Sequence, residues 1–86
     1  MKILWEERVW DDYLFWQETD KKTLWKINAL VKDMMRDPFS GLGKPEPLRG
    51  DFSGLWSRRI NHADRIVYFE QDGTVYIIAC RGHYDD

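Results

Sequence analysis

The chain has 86 residues, a mass of 10.4 kDa, a formal charge of −2 and one cysteine, which predicts a single domain over residues 1–86 and leaves no room for a second core. A lone Cys80 closes no intrachain disulfide and builds no cysteine metal cage, and no apolar run approaches the roughly 20 residues of a membrane helix. The amino terminus turns acidic at Glu6 and Glu7 without a signal-peptide core, so a soluble, cytoplasmic protein is expected.

Lys2 to Trp5 is a short apolar run that reads as an opening strand. Glu6 and Glu7 then stand where carboxylates favour the positive end of a helix, and Val9, Tyr13 and Trp16, widened by Trp10 and Leu14, predict a helix over 6–18. Thr19-Asp20 offers the N-cap of a second helix. Leu24, Ile27, Leu30, Val31 and Met34 give it an apolar face, and Asp37-Pro38 stops it. So short a joint makes the two an antiparallel hairpin, with Met34, Met35 and the Trp residues read as core. Residues 38–54, punctuated by three prolines and four glycines, admit no long regular element, and ordered loops of that length are often functional. Leu55–Ile60, Arg65–Glu70 and Thr74–Arg81 alternate as strands. Asn61–Asp64 turns between the first two, and Asp72-Gly73 is a two-residue hairpin signal between the others. The order β-α-α-β-β-β predicts an α+β domain, a helical hairpin packed on one face of a largely antiparallel sheet.

The charge is unevenly spread. Residues 1–43 carry seven basic and eight acidic side chains, whereas residues 44–65 carry Lys44, Arg49, Arg58, Arg59 and Arg65 against Glu46, Asp51 and Asp64. Arginine suits bidentate phosphate contacts better than lysine does. Strand alternation groups Leu55, Ser57 and Arg59; Arg65, Val67 and Phe69; and Val75, Ile77, Ala79, Arg81 and His83. If those faces coincide, Arg59, Arg65 and Arg81 converge with His83 at one rim. Cys80 alternates instead with Tyr76 and Ile78 and reads as core.

Few chemistries fit such residues. His62 and His83 have no second His or Cys at metal-ligand spacing, no glycine-rich loop precedes a helix in the manner of a phosphate-binding loop, and neither Ser53 nor Ser57 has a nucleophile's partners. No cofactor is expected. Acid–base cleavage of RNA remains, because RNA supplies its own 2′-OH nucleophile and asks only for a base, an acid and fixed cations. Glu46, held between Pro45 and Pro47, is a candidate base that reads equally well as a solvated loop carboxylate. His83 or Tyr84 is a candidate acid. His62 reads as an exposed turn residue.

Lys44-Pro45-Glu46-Pro47-Leu48, Ser53-Gly54-Leu55-Trp56-Ser57-Arg58-Arg59-Ile60, Arg65-Ile66-Val67-Tyr68 and Ala79-Cys80-Arg81-Gly82-His83-Tyr84, with Trp10 to Asp20, strongly resemble the YoeB-type toxins of the RelE/ParE toxin–antitoxin superfamily. The resemblance implies a RelE-like fold and a ribosome-dependent endonuclease that cuts translated mRNA in the A site without a metal. It also implies a homodimer and neutralisation by a cognate, YefM-like antitoxin. Position by position it makes Glu46 the general base, His83 the general acid, and Arg59 and Arg65 the binders of the scissile phosphate. Tyr84 positions substrate, Arg49 stands at a basic position near the phosphate, and Lys44 and Arg81 are weaker candidates for RNA contact. The chain departs from the family pattern at Gly82, where a bulkier residue is usual, at Asp85-Asp86, which extend past the terminal Tyr, and at Glu6, where a better helix cap is expected. Its charge of −2 is low for a ribosome binder, so attraction is expected from a local patch. Two alternatives share the scaffold: a non-enzymatic, ParE-like toxin that binds gyrase, and a catalytically weakened homologue that still binds antitoxin.

Overall fold

In the computed structural model, which describes residues 1–82, the elements run in the predicted order. They are β1 (Lys2–Trp5), α1 (Glu7–Thr19), α2 (Lys21–Arg36), β2 (Glu46–Pro47), a 3-10 turn (Gly50–Phe52), β3 (Trp56–Arg59), β4 (Arg65–Gln71) and β5 (Thr74–Ala79). The two-residue β2, a bridge at the edge of the long loop, and the 3-10 turn within that loop are new. The sheet order is β1-β5-β4-β3-β2, antiparallel throughout except where β1 runs parallel to β5. No helix among the described residues is long and apolar enough to cross a membrane.

Asp20 makes the helical hairpin. Its N–H donates to Trp16 O and closes α1. Its carboxylate accepts from Thr23 N (3.2 Å) and Thr23 Oγ1 (2.8 Å) to open α2, and the Thr23 bonds hold it below the ordinary carboxylate range. Glu6, by contrast, caps α1 with no side-chain bond. Leu24, Ile27, Leu30 and Met34 bury one stripe of α2 against Ile66, Tyr68, Val75 and Ile77 of the sheet, joined by Val9 and Trp16 of α1. Each such fully buried aliphatic contributes at most about 1.5–3 kcal/mol. Met35, Trp10 and Trp25 correct the expectation of an all-core set: they lie off the stripe, and Trp25 is 63% exposed. Trp16 fills the core, its indole Nε1 donating to Cys80 O (3.0 Å).

Asp72 and Gly73, both at positive φ, close the β4–β5 hairpin. Farther along, the ladder slips. Tyr68 pairs with Ile77 but Val67 with Ala79, so Ile78 is an extra residue on β5. A bulge of this kind reverses the alternation. Val75 and Ile77 therefore face the helices, whereas Ala79 and Ile78 pack with Val67, Leu48, Phe52 and Leu55 on the other face. Cys80 is buried as expected, but on the helix side, its thiol against Val9 O at 3.7 Å.

Arg58 anchors the long loop. Fully buried, it donates through Nε to the Tyr68 hydroxyl (3.0 Å), through Nη1 to Asp33 (2.7 Å) and Leu42 O (3.0 Å), and through Nη2 to Asp37 O (2.7 Å) and Ser40 O (3.1 Å). The Tyr68 hydroxyl donates in turn to Pro38 O. A guanidinium has five donors in a fixed fork, and here they bind the backbone of residues 37–42 to the sheet. Gly43 completes the attachment: its carbonyl accepts from Arg59 N at 2.7 Å.

Candidate active site

The face of the sheet opposite the helices carries the candidate residues. Glu46 lies directly across from Ser57, and Arg59 directly across from Arg65. Opposed residues of an antiparallel pair project to the same side, as do residues two apart on one strand. Glu46, Ser57, Arg59 and Arg65 therefore share a face, with the carboxylate row and the arginine row two residues, or about 7 Å, apart. The convergence of Arg59 and Arg65 expected from alternation is present, because a short turn between two strands forces their ends to meet.

That turn is built to be rigid. Asn61 Oδ1 accepts from the N–H groups of Ala63 and Asp64, both at 2.8 Å. Arg65 Nη1 donates to Asn61 O (2.9 Å) and Asp64 O (3.1 Å), so one edge of its guanidinium is fixed and its other donors bond no other described residue. Glu46 and Arg59 are exposed. Among the described residues the ion pairs are Asp33 with Arg36 and Arg58, and Asp12 with Arg81, so neither group is neutralised there.

A cleft of about 400 Å³ opens beside the arginine pair, lined by Lys26, Lys44, Arg59, His62 and Arg65 over a floor that includes Gly43. Its lining holds four cationic side chains and no carboxylate. Lys26 and His62 were missed by sequence reasoning. His62 is exposed in its turn as expected, yet a turn between two opposed arginines must place its residues beside them. No local signal places the flank of α2, and Lys26 with it, over the end of β3.

Arg81 does not join this group. The strand ends at Ala79, and beyond it the Arg81 guanidinium lies over the Phe15 ring (3.6 Å) and beside Asp12 (3.6 Å) on α1. Arg49 is exposed at the head of the 3-10 turn and does not line the cleft. His83 and Tyr84 fall outside the described residues, as do Asp85 and Asp86. Gly82 just before them is tied to the arginine row: its carbonyl accepts from Arg65 N and its N–H donates to Asp64 Oδ1, both at 2.8 Å. Its φ of +94° suits the glycine that replaces the family's bulkier residue. Cys80 is no nucleophile, since burial pushes its thiol up to about 12.

Comparison with known proteins bears on the family and the fold. Residues 5–84 match the family described as YoeB-like toxin of bacterial type II toxin-antitoxin system. The chain is 57% identical to Toxin YoeB of Escherichia coli K12 over 84 residues, 98% of this chain and all of the relative. Among solved structures it superimposes on a YoeB/ParE toxin from Agrobacterium tumefaciens with a TM-score of 0.93 at 51% identity, covering 98% of this chain and 100% of that one. A YoeB dimer (TM-score 0.90, 40% identity) and a YoeB–YefM complex (0.89, 39%), both from Staphylococcus aureus, match over 98% of each chain.

Proposed function

Because this chain belongs to the YoeB-like toxins of bacterial type II toxin–antitoxin systems, we propose that it cuts translated mRNA on the ribosome at the sheet face that carries Glu46, Arg59 and Arg65. The observation that carries this reading is the shared face itself: a carboxylate and two directly opposed arginines at one end of the sheet, opening onto a cationic cleft.

The chemistry requires no cofactor. Glu46 takes the proton of the 2′-OH; the 2′-oxygen then bonds to phosphorus while the bond from phosphorus to the 5′-oxygen breaks. His83 gives a proton to that departing oxygen, leaving a 2′,3′-cyclic phosphate and a 5′-hydroxyl. Arg59 and Arg65 face the charge that grows on the phosphorus oxygens, where preorganised donors lower a barrier most effectively. Fixing one edge of Arg65 in advance removes reorganisation at the moment of reaction. Tyr84 positions the substrate, and Lys44 and Arg49 extend the contact with RNA. Arg81, engaged with α1, serves packing instead.

The Staphylococcus aureus relatives, a dimer and a complex with YefM, support two partners for this chain: a second copy and a YefM-like antitoxin. Trp10, stacked on Tyr13 (5.0 Å) and edge-on to Trp5 (5.9 Å), offers an aromatic surface for either. Trp16 does not, being buried. Ribosome-bound mRNA as substrate places the protein in the cytoplasm. Mapping message 5′ ends after induction tests the reading: cleavage within translated codons is expected for the wild type, with loss of both cleavage and toxicity in Glu46→Ala at unchanged melting temperature. Arrest of growth with intact messages overturns it.

A further inference from the structure

If the arginine pair holds the scissile phosphate, the cleft beside it contains more than that task uses. At about 400 Å³ it is wider than a single phosphate group requires. Three segments of the chain line it with donors: Lys26 from α2, Lys44 from the long loop, and Arg59, His62 and Arg65 from the β3–β4 hairpin. Among the described residues none of the four cations is in an ion pair with a carboxylate. Like charges gathered without counterions repel one another, and a polyanion relieves that repulsion by releasing its own counterions.

The backbone positions that carry these donors are fixed. The Gly43–Arg59 backbone bond sets Lys44 against β3, the Asn61 side chain fixes the turn that bears His62, and Ile27, next to Lys26, is wholly buried in the core. Phosphates of one RNA strand are linked by a single nucleotide, so a strand held at Arg59 and Arg65 brings its neighbouring phosphate within a side chain's length. We propose that Lys26 and His62, on the cleft wall supplied by α2 and the β3–β4 turn, hold the phosphodiester next to the one that is cut. This rests on the nuclease reading above and adds to it a second phosphate subsite, formed by two residues outside the acid–base set.

The test uses ribosomes programmed with three messages: one unmodified, and two in which the linkage on the 5′ or the 3′ side of the cleaved bond is a neutral methylphosphonate. The variant carries Lys26→Gln and His62→Ala; both side chains are exposed, and Lys26→Gln alone serves in the same scheme. On the unmodified message the variant is expected to lose about tenfold in kcat/KM, through KM, with a salt dependence shallower by about 0.7 in log–log slope for the lost Lys26 contact. Wild type is expected to lose a similar factor on one methylphosphonate message, and the variant nothing further on that message, the non-additivity that marks a direct contact. Losses that add on both messages mean that these residues meet ribosomal RNA instead and overturn the proposal, as does a variant that cuts at the wild-type rate. Wild type that leaves the unmodified message intact overturns the nuclease reading itself.

Discussion

Arg58 and Arg59 are adjacent in sequence and opposite in fate. Alternation along β3 sends Arg59 to the open face and Arg58 into the interior, where it replaces lost water with five bonds to Asp33, Tyr68 and three backbone carbonyls. Arg58→Ala removes all five bonds and empties the space beneath the loop, although Asp33 keeps Arg36 and the Leu42 N–H and the Tyr68 hydroxyl keeps Pro38 O; it is expected to cost about 3–5 kcal/mol in chemical denaturation, the range for breaking a buried pair. The same network makes stability pH-dependent. Leu42 N–H, Arg36 and Arg58 hold the Asp33 carboxyl well below the usual carboxylate range, and Phe39 N–H with Ser40 does the same for Asp37. A carboxylate whose folded value is depressed stabilises the fold fully above its unfolded value, about 3.9, and loses that contribution as the pH falls below it. Asp33→Asn is therefore expected to be less stable at neutral pH and to lose melting temperature less steeply than wild type below about pH 4. Sequence alternation did separate Arg58 from Arg59, but nothing in it announced burial, because the partners that make burial tolerable come from α2 and the loop.

Local signals carried most of the elements. Asp20, Asp37-Pro38 and Asp72-Gly73 are residues whose own chemistry ends or turns the chain, and the structure breaks where they stand. The β5 bulge has no such signature. Ile78 looks like any strand residue, yet its insertion carries Ala79 to the face of Val67 and Cys80 to the helix side. The pairing of Arg59 with Arg65 survives because it depends only on the short turn between them. The long loop is the element on which the cleft depends most. A Cβ at Gly43 would stand 2.7 Å from Leu30 Cδ2 and 3.0 Å from Arg59 O. The first belongs to the core and the second to the backbone, so neither can yield cheaply. At Gly50 a Cβ meets nothing, although φ is positive at both positions. Gly50→Ala is thus expected to cost only the left-handed backbone penalty of about 1–2 kcal/mol. Gly43→Ala adds the collision, for about 2–4 kcal/mol in total, and lowers cleavage further by shifting Lys44 away from the arginines. Denaturation midpoints and cleavage rates of the two variants make the comparison.

At the scale of the whole molecule, the main apolar cluster is a slab between the helical hairpin and the sheet, and Cys80 lies within it, fully buried beneath α1. No loop movement reaches the thiol; α1 must leave the sheet. Alkylation of native protein is therefore expected to track global unfolding, slowed at least about 10³-fold relative to denatured protein for a domain of ordinary stability. Labelling as fast as in the unfolded chain contradicts the buried placement. The parallel pairing of β1 with β5 has an effect in time as well as in space. The strand synthesised first has no ladder until the strand synthesised late has emerged, because β5 sits between β1 and β4. The helices, too, lack half of their sheet until then. A nascent chain that is to poison translation thus stays inert while its helices and first strand are already made, and acquires its shape only once β5 has emerged to join them.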